Sequence, residues 1–320
     1  MGDYLGLLMF PAVLALLFMG VHVAIALMGV GFVFGLITFD TAVIHQFIQK
    51  IDSVASNFVL AAVPLFVFMG SMLERSGIAE NLFEAIHLWT RRLPGGLALG
   101  TIVMCVIFAA SSGVIGATET VVGLLAIPVM LRYGYDKGLI SGTICAGGSL
   151  GTIIPPSVVV VVLGPVADVS VGDLFVGMFI PGMIMAGLYL VYILGRCIID
   201  PKAGPRLPPS SDDIGVWSKI WITLVAFLPP AAMIFAVLGS IVMGWAAPTE
   251  AAAMGAAGAV ILTVIYRTFS FAVLQEALIK TLKVTCMIMM ILLGGSMFSG
   301  VFVASGGVAL TEQLIATANM

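Results

Sequence analysis

Charge is what this sequence has least of. Only 9% of its 320 residues are Asp, Glu, Lys or Arg, against roughly 25% in a soluble domain, and its mean hydropathy is +1.20. The 16 acidic and 13 basic residues nearly cancel and form no block, so neither a basic nor an acidic tract is there to recognise nucleic acid. The three histidines, His22, His45 and His87, do not cluster with carboxylates, which argues against a metal site or proton relay built on imidazole. Cys105, Cys145, Cys197 and Cys286 show neither zinc spacing nor a disulfide framework and read as buried small hydrophobes. A Gly-x-x-x-x-Gly-Lys-Ser/Thr phosphate loop and a His-Glu-x-x-His pair are both missing. No basic region precedes the first apolar run, so that run does not read as a cleavable signal peptide.

Long uncharged stretches are what the sequence does have. They cover 4–39, 53–73, 93–118, 138–167, 174–195, 220–249, 251–266 and 284–311. At about 20 residues per crossing they predict roughly eight to ten membrane-embedded segments. The chain therefore reads as an all-α polytopic membrane protein surrounded by membrane lipids. Residues 79–92 break the apolar pattern: Leu82, Phe83, Ile86 and Trp89 share one face, with acids early and Arg91–Arg92 last. That pattern predicts a helix in the membrane plane with Trp89 at headgroup level.

The strongest polar break is 200–213, rich in Pro, Asp and Ser, which reads as an extra-membrane linker. Segments on either side resemble each other at a shift of 230. Ala42-Val43-Ile44 falls on Ala272-Val273-Leu274, Ile48 on Leu278, Lys50 on Lys280, Gly70 on Gly300 and Gly77 on Gly307. Repeats inverted across the membrane are typical of secondary transporters. The expected organisation is a first repeat at 1–200, a linker at 201–216 and an incomplete second repeat at 217–320. Within the first repeat lie scaffold helices (1–92), a hairpin and broken helix (93–167) and a closing helix (172–199). On this shift the second copy would run past Met320, so the sequence is expected to lack its C-terminal quarter.

Two segments carry features that simple membrane crossings do not need. In the first, the uncharged run after Lys137 contains Gly147-Gly148-Ser149-Leu150-Gly151-Thr152-Ile153-Ile154-Pro155-Pro156-Ser157. Two prolines remove two backbone donors and push the residue before each toward extended geometry. Carbonyls left unsatisfied at membrane depth are costly, so such a break persists where protein, water or an ion meets them. In the second, the stretch 93–131 is too long for one crossing, and its middle reads Ser111-Ser112-Gly113-Val114-Ile115-Gly116-Ala117-Thr118-Glu119. This predicts a re-entrant hairpin with Ser111-Ser112-Gly113 at its tip, where helix ends expose carbonyls on one side and N–H groups on the other. Carbonyl and hydroxyl oxygens suit Na+, and N–H groups suit an anionic substrate. The competing reading is close helix packing through small residues. Glu119 fits two readings equally, a ligand for a coupling ion or proton and an acceptor for the N–H groups of the second half-helix. For Glu250, after Pro248-Thr249, a structural cap buried between helices is the expected role.

Gly148-Ser149-Leu150-Gly151-Thr152-Ile153-Ile154-Pro155-Pro156-Ser157 resembles the motif of the large membrane subunit of tripartite ATP-independent periplasmic (TRAP) transporters. Ser111 to Thr118 resembles that family's first hairpin, and Pro248-Thr249-Glu250-Ala251-Ala252 the opening of its second half. The likeness covers essentially the whole chain; Gly20-Val21-His22 departs from the family's usual Gly-Val-Pro. The resemblance implies a Na+-driven, elevator-type importer of organic anions in the bacterial inner membrane. It also implies two partners, a periplasmic solute-binding protein and a small membrane subunit. Carried over, a Na+ site falls on Ser111, Ser112, Gly148 and Gly151, with Thr152 and Pro155 adjacent. Gly113, Ser149, Pro156 and Ser157 fall near the substrate, and Glu119, Thr249 and Glu250 are candidates for polar support. A self-sufficient ion-coupled anion carrier is the alternative, and a membrane enzyme acting on lipid-linked substrates a more distant one.

Overall fold

The computed structural model describes residues 5–113, 115–207 and 215–317. Among them are fourteen α-helices and no strand. In chain order they are α1 (Leu5–Phe18), α2 (Val23–Phe39), α3 (Ala42–Ala55), α4 (Ala62–Glu74), α5 (Ile78–Thr90), α6 (Gly96–Ser112) and α7 (Ile115–Arg132). There follow α8 (Lys137–Ile153), α9 (Val158–Ala167), α10 (Val171–Ile199), α11 (Val216–Val242), α12 (Pro248–Ile265), α13 (Phe271–Ala304) and α14 (Gly307–Thr317). The protein is an all-α polytopic membrane protein. Helices α10 to α13 each contain a stretch long and apolar enough to cross a bilayer, and α8 with α9 forms a further span bent by 42°. Shorter apolar helices are Leu5–Phe18, Val23–Phe39 and Gly96–Ala110. In the most apolar window of α10 only 17% of residues are buried by protein. Its exposed Ile184, Leu188 and Val191 are a surface for lipid, since a helix apolar all round is stable in hydrocarbon and not in water.

The chain forms two compact units, Met1–Asn57 with Lys283–Met320, and Phe58–Leu282. In the first, Met9, Val13, Ala26, Val30, Val43, Phe298 and Val301 make the core. Missing side chains let its helices approach. A Cβ on Gly294 of α13 would stand 2.8 Å from the Ala24 carbonyl oxygen of α2, and one on Gly6 of α1 would stand 3.0 Å from Ser305 Oγ. A Cβ on Gly300 would stand 3.4 Å from both Gln46 Nε2 and Lys50 Cε of α3.

In the second unit, helices from the C-terminal part of the chain pack on α4 and α5. Helix α12 lies on α4, where a Cβ at Gly255 would meet Met69 Sδ at 2.5 Å. Helix α11 lies on α5, with the Trp89 indole N–H donating to Thr223 Oγ1 at 2.8 Å. The start of α13 reaches α4 through Lys280 and Glu74, beside a second pair, Arg75 and Glu276. Left-handed backbone occurs at Gly20, Asp40 and Gly77, and again at Gly244, Arg267 and Gly306. Each falls at the end of the corresponding helix in its half.

Four sequence readings change in detail. Helix α5 is amphipathic and buries Ile78, Ala79, Leu82, Ala85 and Ile86, but Trp89 is tied to α11 as well as being half exposed. Cys105 and Cys197 are buried, whereas Cys145 and Cys286 are exposed, on apolar helix surfaces that need no protein cover in a bilayer. The beginning of the polar break is docked: the Gly95 N–H donates to the Gly204 carbonyl and the Asp136 N–H to the Ala203 carbonyl, both at 3.0 Å. Residues 208–214 of that break lie outside the described residues. Glu250 is a cap, since the Ala247 N–H donates to its Oε2 at 2.9 Å, but it is exposed and not buried between helices. A carboxylate in the first turn of a helix satisfies an orphan N–H and favours the positive end of the dipole from the surface as well.

A candidate ion and substrate site where a hairpin tip meets a broken helix

Helices α6 and α7 run for 17 and 18 residues, about 26 Å each at 1.5 Å per residue, and pack side by side as a hairpin. Its turn is at Gly113, which caps α6 in left-handed geometry (φ 63) and donates its N–H to the Ala109 carbonyl at 3.0 Å. Only glycine takes that conformation without strain. A side chain there is excluded by packing too, because a Cβ would come 2.7 Å from the Pro156 carbonyl oxygen. The side chains of Ser111 and Ser112 lie outside the described residues. Their backbone closes the last turn of α6, where carbonyls lack intrahelical partners.

Helix α8 ends for the reason its sequence gives. The carbonyls of Gly151 and Thr152 would pair with the N–H groups of residues 155 and 156, and both are proline. Ile154 is extended (φ −83, ψ 120), the Pro155–Pro156 bond is cis, and α9 starts after Ser157 (φ −118, ψ 130). The break is seated against the hairpin tip: the Val158 N–H donates to the Gly113 carbonyl at 3.3 Å. The C-terminal ends of α6 and α8 and the N-terminal end of α9 therefore converge on Pro155, Pro156 and Ser157, all buried. Helix ends of this kind can offer carbonyl oxygen to a cation and N–H to an anion.

The predicted residues divide by what they contribute there. Gly151 and Thr152 supply carbonyls with no helical donor, a condition that Pro155 creates for the first and Pro156 for the second. The Thr152 hydroxyl is spent on the Ser149 carbonyl (2.8 Å) and the Ser149 hydroxyl on the Ala146 carbonyl (2.7 Å). Ser157 is fully buried, and its Oγ has no hydrogen-bond partner among the described residues, although a buried hydroxyl normally finds one. Gly148 lies inside α8, so its carbonyl faces the Thr152 N–H. What it contributes is room: a Cβ there would overlap the Glu119 side chain, with Oε1 only 2.8 Å away. Glu119 thus leans across from α7 onto α8, one turn in from the helix start. Thr249 and Glu250 belong to the start of α12. Thr249 is buried with its hydroxyl unpartnered among the described residues, and the helix it starts packs on α4 and α11.

Gly147-Gly148-Ser149-Leu150-Gly151 also has the Gly-x-Ser-x-Gly spacing of a hydrolase nucleophile elbow. Ser149 lies within a helix, not on a strand-to-helix turn, so the spacing lacks its structural context. Gly182 was not foreseen. It follows Pro181 inside α10, and a Cβ there would stand 3.2 to 3.4 Å from Ile153 Cγ2, Ile154 Cγ1 and the Ile153 carbonyl oxygen. The Pro-Gly pair in an apolar helix was the available signal. Among the described residues no group of three or more His, Cys, Asp or Glu converges, so a cation in this volume would meet mainly carbonyl and hydroxyl oxygens.

A helical hairpin whose tip docks on a proline-broken apolar helix is an arrangement typical of membrane transport proteins. Residues 10–319 match the family described as "Tripartite ATP-independent periplasmic transporter, DctM component", and the chain belongs to that family. It is a multi-pass protein of the bacterial inner membrane. It is 31% identical over 255 residues to the C4-dicarboxylate TRAP transporter large permease protein DctM of Pseudomonas aeruginosa, covering 79% of this chain and 58% of that protein. Identity to the sialic acid TRAP transporter large permease protein SiaM of Vibrio cholerae is 29% over 302 residues, 94% of this chain and 67% of that one. To the 2,3-diketo-L-gulonate TRAP transporter large permease protein YiaN of Escherichia coli it is 28% over 267 residues, 83% and 60%. The chain thus spans about six-tenths of the length of the relatives it matches.

Proposed function

We propose that this chain works as the large membrane subunit of a Na+-coupled, binding-protein-dependent importer of an organic acid anion. The observation that carries the reading is the docking of the Gly113 tip on the Pro155–Pro156 break, where the Val158 N–H donates to the Gly113 carbonyl. In this reading Na+ is held by carbonyls at the ends of α6 and α8, those of Ser111, Ser112, Gly151 and Thr152. The anion meets the α9 N-terminus and Ser157 Oγ. Among the relatives some are named for C4-dicarboxylate, sialic acid and 2,3-diketo-L-gulonate and others for isethionate and ectoine; the prevalence of acids supports an acid as cargo. A periplasmic binding protein would deliver the anion and a small membrane subunit would brace the permease. An inverted repeat is supported by the exchanged packing, in which α1, α2 and α3 touch α13 and α14 as α11, α12 and the start of α13 touch α4 and α5. An elevator motion would then carry the hairpin and broken helix as one body.

The test is uptake into liposomes containing the complete permease and its small subunit. Uptake is expected only with an inward Na+ gradient and the binding protein outside. Uptake without the binding protein would replace this reading with a self-sufficient carrier, and uptake indifferent to Na+ would remove the coupling.

A further inference from the structure

Glu119 is the one acidic or basic residue in the stretch from residue 93 to 131, and the structure gives it a definite place. Its side chain fills the notch that Gly148 leaves on α8. Thr152 is one turn further along α8, at i+4, on that same face. The notch is thus about 6 Å along the helix axis from the carbonyl that Pro156 leaves without a donor. An ionised group at membrane depth is costly unless a partner offsets it, and among the described residues no ion pair to Glu119 is found. A cation on the Gly151 and Thr152 carbonyls would be such a partner. Carbonyl dipoles alone carry no net charge, whereas a carboxylate within several ångströms in a medium of low dielectric adds a strong attraction.

We propose that Glu119 is a positioning residue of the coupling-ion site. Its carboxylate supplies, through space, the negative charge that holds Na+ at the Gly151 and Thr152 carbonyls, and the missing side chain of Gly148 brings it close enough. The proposal rests on the Na+-coupled reading above.

The experiment is a Na+ titration of the thermal unfolding midpoint of the complete purified permease in detergent, with K+ keeping ionic strength constant. Na+ is expected to raise the midpoint of the wild-type protein. Glu119→Gln, which keeps the shape and removes the charge, should require about tenfold more Na+ or beyond for the same rise, with its midpoint in K+ alone no lower than that of the wild type. Gly148→Ala, which pushes the carboxylate out of its notch, should shift the titration in the same direction, and Glu119→Asp less than Glu119→Gln. A purely structural role for Glu119 would lower the midpoint in K+ and leave the Na+ concentration dependence alone. A wild-type response with an unshifted Glu119→Gln titration overturns the proposal while leaving Na+ coupling standing. No response in the wild-type protein overturns the coupling itself.

Discussion

The stretch from α1 to α5 and the stretch from α11 to α14 pass through the same events by different local means. Left-handed residues end the first helices at Gly20 and Gly244, the second at Asp40 and Arg267, and precede the last at Gly77 and Gly306. The devices between them differ. Helix α2 starts after His22 with no side-chain cap, whereas α12 starts with Pro248 and the Glu250 carboxylate. Between α3 and α4 the chain leaves the helix at Ser56 and re-enters through a short 3-10 turn, whereas the matching stretch of α13 is helical throughout its 34 residues. Proline explains part of this difference: at a shift of 230, Pro64 falls on Gly294. The turn positions are shared and the devices are not, so packing between the two halves fixes the path more firmly than local signals do.

The largest expected effect comes from exchanging that proline. Gly294→Pro puts a ring where even a Cβ would crowd the Ala24 carbonyl and removes a backbone donor from α13. It should cost about 3 kcal/mol or more, read as a large drop in the unfolding midpoint and in folded yield. Pro64→Leu, in a place already broken, should change stability by less than about 1 kcal/mol. Equal effects would mean that the break between α3 and α4 is as tightly specified as the continuity of α13.

The second difference is titratable. Helix α5 carries His87, and the matching end of α14 has Ala316 and Thr317. Neither His87 ring nitrogen has a hydrogen-bond partner among the described residues, and the ring stacks on Phe83 with centroids 4.6 Å apart. Burial, with a smaller contribution from the Arg91 charge, lowers its pKa from 6.5 to about 4. The folded protein therefore binds this proton less readily than the unfolded chain. Stability from the neutral ring is present above pH 6.5 and is lost as pH falls toward about 4, by roughly 1–3 kcal/mol. The wild-type unfolding midpoint should drop across that window, and His87→Phe should flatten the drop. A midpoint equally acid-sensitive in His87→Phe would place the titrating group elsewhere.

The site was more legible in the sequence than the packing of the halves. Two adjacent prolines and a Ser-Ser-Gly tip act on their own backbone, so the α8 break and the hairpin follow from local chemistry. That Gly113 would seat against Pro156 depends on residues more than 40 positions apart, and the sequence only placed the two in consecutive segments. Glu119 and Gly148 were each marked, one as a costly charge and one as a possible ion ligand. That the glycine is a notch for the carboxylate follows from the α7–α8 register, which no local pattern encodes. The exchanged packing of the two halves was equally hidden: the repeat shift relates residues by likeness and says nothing about which copy each one touches.

Ion pairing gives a smaller contrast. Lys50 and Lys280 match at the shift of 230, yet Lys280 pairs with Glu74 while Lys50 lies along Gly300 near Gln46. The reason is in the partners, since Glu74 falls on Ala304. The Lys280 pair is partly exposed, so screening limits it to about 1 kcal/mol. Lys280→Met should lower the midpoint by that much at low salt and by less at high salt, and Lys50→Met by under about 0.5 kcal/mol at either. A salt-sensitive loss in Lys50→Met would show that the first arm has an ionic partner of comparable strength.

The helix starts provide the finest test. Ala247 has no side-chain acceptor, so only the Glu250 half of a capping box forms at α12: one carboxylate satisfies the Ala247 N–H and lies at the positive end of the dipole. Glu250→Ala should therefore cost about 0.5–1 kcal/mol. At α2 the N-cap residue His22 is already extended (φ −60, ψ 135), the geometry from which a serine hydroxyl reaches the third residue of the helix. His22→Ser should then add about 0.5–1 kcal/mol, because it satisfies an N–H that the helix itself leaves open. If both substitutions move the unfolding midpoint as expected, the two halves differ in how completely their helix starts are capped. A gain at residue 22 with no loss at residue 250 would instead mean that packing on α4 holds the start of α12 without help from its cap, making α12 the more strongly determined of the two helices.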